Sequence, residues 1–206
     1  VVSELMKPQV DEAGITNLLN TQREDGTWPG INYEDVSRTG FEHRNHLSNM
    51  VNLARAYKKK GNKFYRSKKA KKSIELALAY WDDNDFICDN WWHNQIGTPH
   101  QMVNLMLIMG DELPDDLIKM AQPIIGRADV NAQGARPGGD RIKIAGIRAK
   151  NLLFLGDEVQ FTEVIKIIEG EIKFVSGLGG TYGYGFRKIA SGFQATRPNA
   201  PSTRRS

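Results

Sequence analysis

Asn90-Trp91-Trp92-His93-Asn94-Gln95 places two indoles side by side among amides and an imidazole, with His100 a little further on. An indole face offers apolar area with a polar handle at its edge, and that combination grips sugar rings. Just upstream, Asp82, Asp83, Asp85 and Asp89 could supply the acid and the base that glycoside hydrolysis requires. Such a cluster more often serves as loop solubility and helix capping. The tryptophans likewise have a plainer role, closing a gap under a long loop. Other chemistries find less support. His43 and His46 have helical i,i+3 spacing and His93 and His100 flank the aromatic segment, but Cys88 is the single cysteine and no carboxylate stands at metal spacing. No metal site and no cofactor are expected. A serine nucleophile lacks its Gly-x-Ser-x-Gly elbow. Gly134-Ala135-Arg136-Pro137-Gly138-Gly139-Asp140 resembles a phosphate cradle only loosely, having neither a Gly-Lys-Ser/Thr ending nor a preceding strand.

The elements that must position these residues read as helices. His46 to Lys60 carries Leu47, Met50, Val51, Leu53, Ala54 and Tyr57 close to a 3.6-residue period, and Ser67 to Trp81 repeats the pattern. Thr98-Pro99 predicts a cap and first helical position leading into Met102, Val103, Leu105, Met106 and Met109. Further helices are expected from Pro114 to about Gly126, from Asp140 to Leu155 and from Glu158 to about Phe174. Gly61, Gly110 and Gly156 stand where helices should end in a left-handed residue. They lie 49 and 46 residues apart, about the length of two antiparallel helices. A weak repeat of helix pairs suggests an array or toroid, with the long segments 26–44, 82–97 and 128–139 gathered at one face. From Val175 onward glycines dominate, and Thr196 to Ser206 reads as disordered. The division is therefore 1–175 as a helical domain and 176–206 as a Gly-rich segment with its tail.

Composition narrows the partners. With 206 residues and 40% hydrophobic content, one domain with a sizeable core is the simplest organisation. A net charge of +4 and a pI near 9.1 favour acidic partners. Much of that charge lies in Lys58 to Lys60, Lys63, Arg66, Lys68, Lys69, Lys71 and Lys72, a run that most simply forms a solvated helix face. Nucleic acid is set aside because no aromatic is interleaved with the basic run and no recognition motif appears. No apolar run approaches the roughly 18 residues of a membrane-spanning helix. An acidic polysaccharide suits the charge. Val1 in place of Met is compatible with a leader removed upstream.

Asn90-Trp91-Trp92-His93-Asn94-Gln95-Ile96-Gly97-Thr98-Pro99 resembles the Asn-Trp-Trp-x-x-x-Ile-Gly-x-Pro segment of polysaccharide lyase family 8, which holds chondroitin AC, hyaluronate and xanthan lyases. Asp25-Gly26-Thr27-Trp28-Pro29-Gly30-Ile31-Asn32-Tyr33 resembles that family's Asp-Gly-Ser-Trp-Pro-x-Ile-x-Tyr stretch, in the expected order along the chain. The resemblance implies an incomplete all-α toroid of antiparallel helix pairs, normally followed by large β domains. It also implies export, to the periplasm or outside the cell, since polymeric substrates lie there. The implied chemistry is β-elimination on a uronate-containing glycan. A group near the carboxylate neutralises it and acidifies the C5 proton, a tyrosine or histidine removes that proton, and tyrosine protonates the leaving oxygen. By resemblance Trp91 and Trp92 stack on sugar rings, Asn90 orients substrate and His93 contacts it. The family's Gly-Ala-Asn segment aligns with Gly134-Ala135-Arg136, so Arg136 takes the carboxylate-facing place. Tyr182 of Thr181-Tyr182-Gly183 aligns with the catalytic tyrosine, whereas Lys173 stands where the catalytic histidine is expected and no histidine follows His100. The leading expectation is thus a lyase domain that is a fragment of a larger enzyme. Two alternatives remain: a non-catalytic carbohydrate-binding helical domain, and a toroid glycoside hydrolase using Asp82 to Asp89.

Overall fold

The structure is a computed structural model that describes residues 1–172 except Gln133. Among these residues every regular element is helical: α1 (Val2–Leu5), α2 (Glu12–Thr21), α3 (His43–Lys58), α4 (Lys68–Asn84), α5 (Thr98–Met109), α6 (Asp115–Gly126), α7 (Gly139–Leu155) and α8 (Glu158–Glu171). The helices α3 to α8 fall within a few residues of the positions the periodicity implies. The predicted boundary at residue 175 and all of 176–206, including Tyr182, lie outside the described residues.

Burial separates two kinds of helix. α4 buries Ala70, Ser73, Ile74, Ala77, Leu78 and Trp81, a single stripe at 3.6 spacing. α6 and α8 do the same with Leu117, Ala121, Ile124 and Ile125, and with Val164 and Ile168. α5 is covered on most sides, burying Met102, Val103, Asn104, Leu105, Met106, Ile108 and Met109. Each fully buried large apolar chain there stabilises the fold by about 1.5–3 kcal/mol. The one-faced helices form an outer layer and α3, α5 and α7 an inner one. His46 Nε2 meets the Ala77 carbonyl at 2.9 Å while Arg66 N–H donates to Tyr57 O, so α4 runs antiparallel to α3. Arg148 to Gln160 and Arg141 to Glu171 set α8 antiparallel to α7. Neighbouring inner helices run parallel: Ser48 meets Gln101 and Lys58 meets the Met109 carbonyl. This is an incomplete α/α toroid.

The helix punctuation follows the residues. Gly156 adopts φ +73 after α7, and Asp157 then caps α8 by accepting from Gln160 N. Gly61 and Gly110 also take positive φ, conformations costly for any residue with a Cβ.

Thr98 departs from its predicted role. It is not a cap. Its backbone is helical and its N–H reaches back to His93 O, closing a π-helical turn over His93–Gly97 that joins Trp91-Trp92 to α5 in one continuous helix. Pro99 has no N–H to give and its ring collides with the carbonyl four residues back in a regular helix. The widened turn relieves that collision, and such insertions recur at functional sites.

Candidate functional site

The loops that precede the three inner helices meet one another. Asp89 N–H donates to Val36 O at 2.9 Å, and Asn90 Nδ2 to Arg38 O at 3.4 Å. A Cβ on Gly134 would stand 2.4 Å from Trp91 Cε3 and 2.2 Å from Gln95 Oε1. The segment carrying Arg136 therefore lies directly against the tandem tryptophans, and only glycine permits the approach. Arg127 pairs with Asp85 and ties the start of the third loop to the end of α4.

Trp91 and Trp92 occupy the first turn of the joined helix. Asn90 Oδ1 accepts from Trp92 N at 3.1 Å, so this residue caps the turn. Asn94 fixes the loop ahead of it, accepting from Cys88 N at 3.0 Å and donating to Cys88 O at 2.7 Å. Each indole is 38% exposed, too open for a core plug. Consecutive helical residues diverge by about 100°, so the rings do not form one flat plate. Trp91 lies along Gly134; Trp92 reaches Gly97, where a Cβ would be 3.0 Å from its Cζ3, and stands edge-on to His93 at 5.4 Å.

His93 is half-buried between Trp92 and Phe41, whose ring is 5.2 Å away. Burial first, and Arg44 second, lower its pKa, which makes it a neutral imidazole at pH 7. Arg136 is exposed and has no hydrogen bond or ion pair among the described residues. Arg44, which no motif or spacing singles out, lies close enough to His93 to help lower its pKa.

Below this open end sits an aromatic and imidazole cluster built from the upstream motif. Trp28 is 2% exposed and its Nε1–H donates to Leu18 O at 3.0 Å. The Tyr33 hydroxyl accepts from Trp28 N at 3.1 Å and donates to His46 Nδ1 at 2.9 Å. Because His46 Nε2 faces a carbonyl, that nitrogen carries the proton and Nδ1 accepts. Burial lowers the His46 pKa to about 4 and raises that of Tyr33 to about 12. Phe41 is fully buried at φ +68 and stacks on His43 at 4.5 Å, a backbone position held only because the surroundings fix it. No group of three or more His, Cys, Asp or Glu side chains among the described residues is placed to hold a metal ion.

The acidic cluster is divided. Asp82 is turned inward with both carboxyl oxygens lacking a hydrogen-bond partner. Desolvation, then Asp83 and Asp85, raise its pKa to about 7. Asp85 ends α4 in a left-handed conformation and is engaged by Arg127.

An α/α toroid whose inner helices begin at an aromatic, arginine-flanked opening is the class of domain defined here. The family model for polysaccharide lyase family 8, N terminal alpha-helical domain, matches residues 6–185. The chain belongs to that family. It is 28% identical to chondroitinase-AC of Pedobacter heparinus over 191 residues, which is 89% of this chain and 27% of that protein. The chain thus spans about a quarter of that relative's length. A solved chondroitinase AC lyase, studied with oligosaccharides, superposes with a TM-score of 0.76 at 25% identity, over 84% of this chain and 26% of the other. A Paenibacillus xanthan lyase shares the fold with a TM-score of 0.68 at 19% identity, over 88% and 17% of the two chains. The chondroitin AC lyase of Streptomyces coelicolor A3, solved with chondroitin sulphate, does so with a TM-score of 0.68 at 17% identity, over 84% and 24%.

Proposed function

We propose that this chain forms the helical wall of a glycan cleft and serves a lyase that cleaves a uronate-containing acidic polysaccharide by β-elimination. The observation that carries the reading is the pair of half-open indoles at the mouth of the inner helices, with the Arg136 segment seated against one of them. Trp91 and Trp92 present apolar faces to successive sugar units. Asn90 holds the turn and keeps one amide N–H for substrate. His93, neutral and partly accessible, offers a ring nitrogen to a hydroxyl. Arg136 neutralises the uronate carboxylate through a planar, two-pronged contact. That neutralisation acidifies the C5 proton; Tyr182 as its phenolate removes it, the C4–O bond breaks as the C4–C5 double bond forms, and Tyr182 passes the proton to the departing glycosidic oxygen. Further β domains complete the enzyme, which acts outside the cytoplasm.

The test incubates this chain, and separately the longest natural form of the protein, with chondroitin, hyaluronan and xanthan while following the ultraviolet absorbance of an unsaturated uronate product. Absorbance rising with the longer form, and lost on Tyr182→Phe, is the expected result. Saturable binding with no absorbance from either form would make this a carbohydrate-binding domain without catalysis. New reducing ends without unsaturation, abolished by Asp82→Asn, would assign hydrolysis to the acidic cluster instead. No binding to any of the three polymers would overturn the reading.

A further inference from the structure

A charged cluster on α5 and α7 lies outside the site described above. Lys150 on α7 donates to Asn104 Oδ1 at 3.0 Å and stands 3.4 Å from His100 Nε2. Asn104 Nδ2 lies 3.4 Å from the same ring nitrogen. Asn104 is 3% exposed, Lys150 is half-buried and His100 is exposed, so the cluster has a buried base between α5 and α7 and an open face. Two donors facing His100 Nε2 make that nitrogen an acceptor and the imidazole neutral. An ammonium has three N–H groups, and two of them are spent on Asn104 and His100. Among the described residues the third has no acceptor, and no carboxylate pairs with Lys150.

The cluster's position relative to the tryptophans is set by the helix. The Trp92 ring lies over Gly97, and positions 97, 100, 101 and 104 recur at the three- and four-residue steps that share one helical face. Gln101 turns from that stripe to Ser48 on α3, while His100 and Asn104 turn to Lys150 on α7. The stripe therefore runs inward from Trp92 along the groove between the inner helices. Eight residues separate Trp92 from His100, about 12 Å along the axis, a span that a short oligosaccharide covers.

Resting on the glycan reading above, we propose that Lys150, held by Asn104 and His100, is an anion subsite that takes a carboxylate or sulfate group of the polysaccharide bound across Trp92. The charge states agree with this role. Partial desolvation first, and the neighbouring Lys150 second, lower the His100 pKa although the ring keeps an exposed face, and burial lowers that of Lys150. A partly desolvated ammonium without a counter-ion gains more from an arriving oxyanion than a hydrated surface lysine does.

The experiment titrates the full 206-residue chain with an unsulfated chondroitin hexasaccharide, its sulfated form, its carboxyl-reduced neutral form, and inorganic sulfate. His100 ring resonances are followed by NMR and affinity by calorimetry. Lys150→Gln should bind the charged hexasaccharides about tenfold more weakly, should bind the neutral form as the unaltered chain does, and should lose the His100 response. Lys150→Arg should recover part of the affinity. A larger loss for the sulfated form assigns the subsite to sulfate; equal losses assign it to the carboxylate. Trp92→Ala serves as the control that weakens every hexasaccharide alike. Thermal melts confirm that the variants fold; should Lys150→Gln unfold, His100→Ala is used in its place. Equal affinity of the variant and the unaltered chain for the charged hexasaccharide overturns the subsite. If no hexasaccharide binds, the glycan reading fails, and the sulfate titration decides: a His100 response abolished by Lys150→Gln keeps an anion site, and no response removes it.

Discussion

Two tryptophan motifs in this chain meet opposite ends. Trp28, in Asp25 to Tyr33, is 2% exposed and gives its N–H to Leu18 O. Trp91 and Trp92 are each 38% exposed at the start of a helix. The first is enclosed by Tyr33, His46 and the α4 backbone and secures the loop from below. The second pair stands where three loops converge and faces outward. Equal residue type does not mean equal role: one motif builds the floor and the other the opening above it.

The sharpest way to break that contrast is truncation. Trp28→Ala should cost about 3–5 kcal/mol of unfolding free energy, measured by urea denaturation. Trp92→Ala should cost less than about 1 kcal/mol. Similar losses at both sites would erase the distinction.

Acid probes the buried motif through His46, and comparison with a His46→Gln chain separates its share from those of His100 and Asp82. The folded His46 pKa lies near 4, below its unfolded value near 6.5, so the unfolded chain binds the extra proton as pH falls through that window. Stability is fully present above about pH 6.5 and is lost toward pH 4, by about 2–3 kcal/mol between pH 7 and 4.5. Urea midpoints across this range check the slope. Unchanged midpoints would mean that His46 is not confined as the Tyr33 and Ala77 contacts require.

A smaller effect sharpens the opening. Gly134→Ala places a methyl against the Trp91 ring and Gln95, so one of them must move, at a cost of about 1–3 kcal/mol. Trp91 fluorescence should shift and glycan affinity should fall more than stability does. The smallest expected change in stability belongs to Trp92→Ala, within about 0.5–1 kcal/mol, with its effect read instead as weakened oligosaccharide binding in calorimetry.

Much of the helical scaffold was legible because its signals are local. Apolar residues at 3.6 spacing mark α3 to α8, and Gly61, Gly110 and Gly156 mark chain reversals that only a residue without Cβ enters cheaply. The sequence missed α1 and the ten-residue α2, in which only Ile15 is buried, too weak a stripe to register. The pattern also makes 82–97 a long connecting segment, whereas the helix begins at Trp91. Thr98-Pro99 looked like a helix start, but the π turn lets the helix begin earlier and carry the proline inside. The tandem indoles, Asn90, His93 and Arg136 were all nameable from sequence. The approach of Gly134 to Trp91, of Arg44 to His93 and of Lys150 to Asn104 was not, because each joins positions more than 40 residues apart.

What the amino-acid order settles here is which stretches coil into helices, where they stop and which motifs place the chain in its family, since those depend on neighbours within a turn or two. Which tryptophan becomes floor and which faces solvent, and that Lys150 comes to rest on Asn104 and His100 with no carboxylate among the described residues, is decided only when the inner helices pack side by side. Burial and charge pairing are properties of that packing, and no single helix contains them.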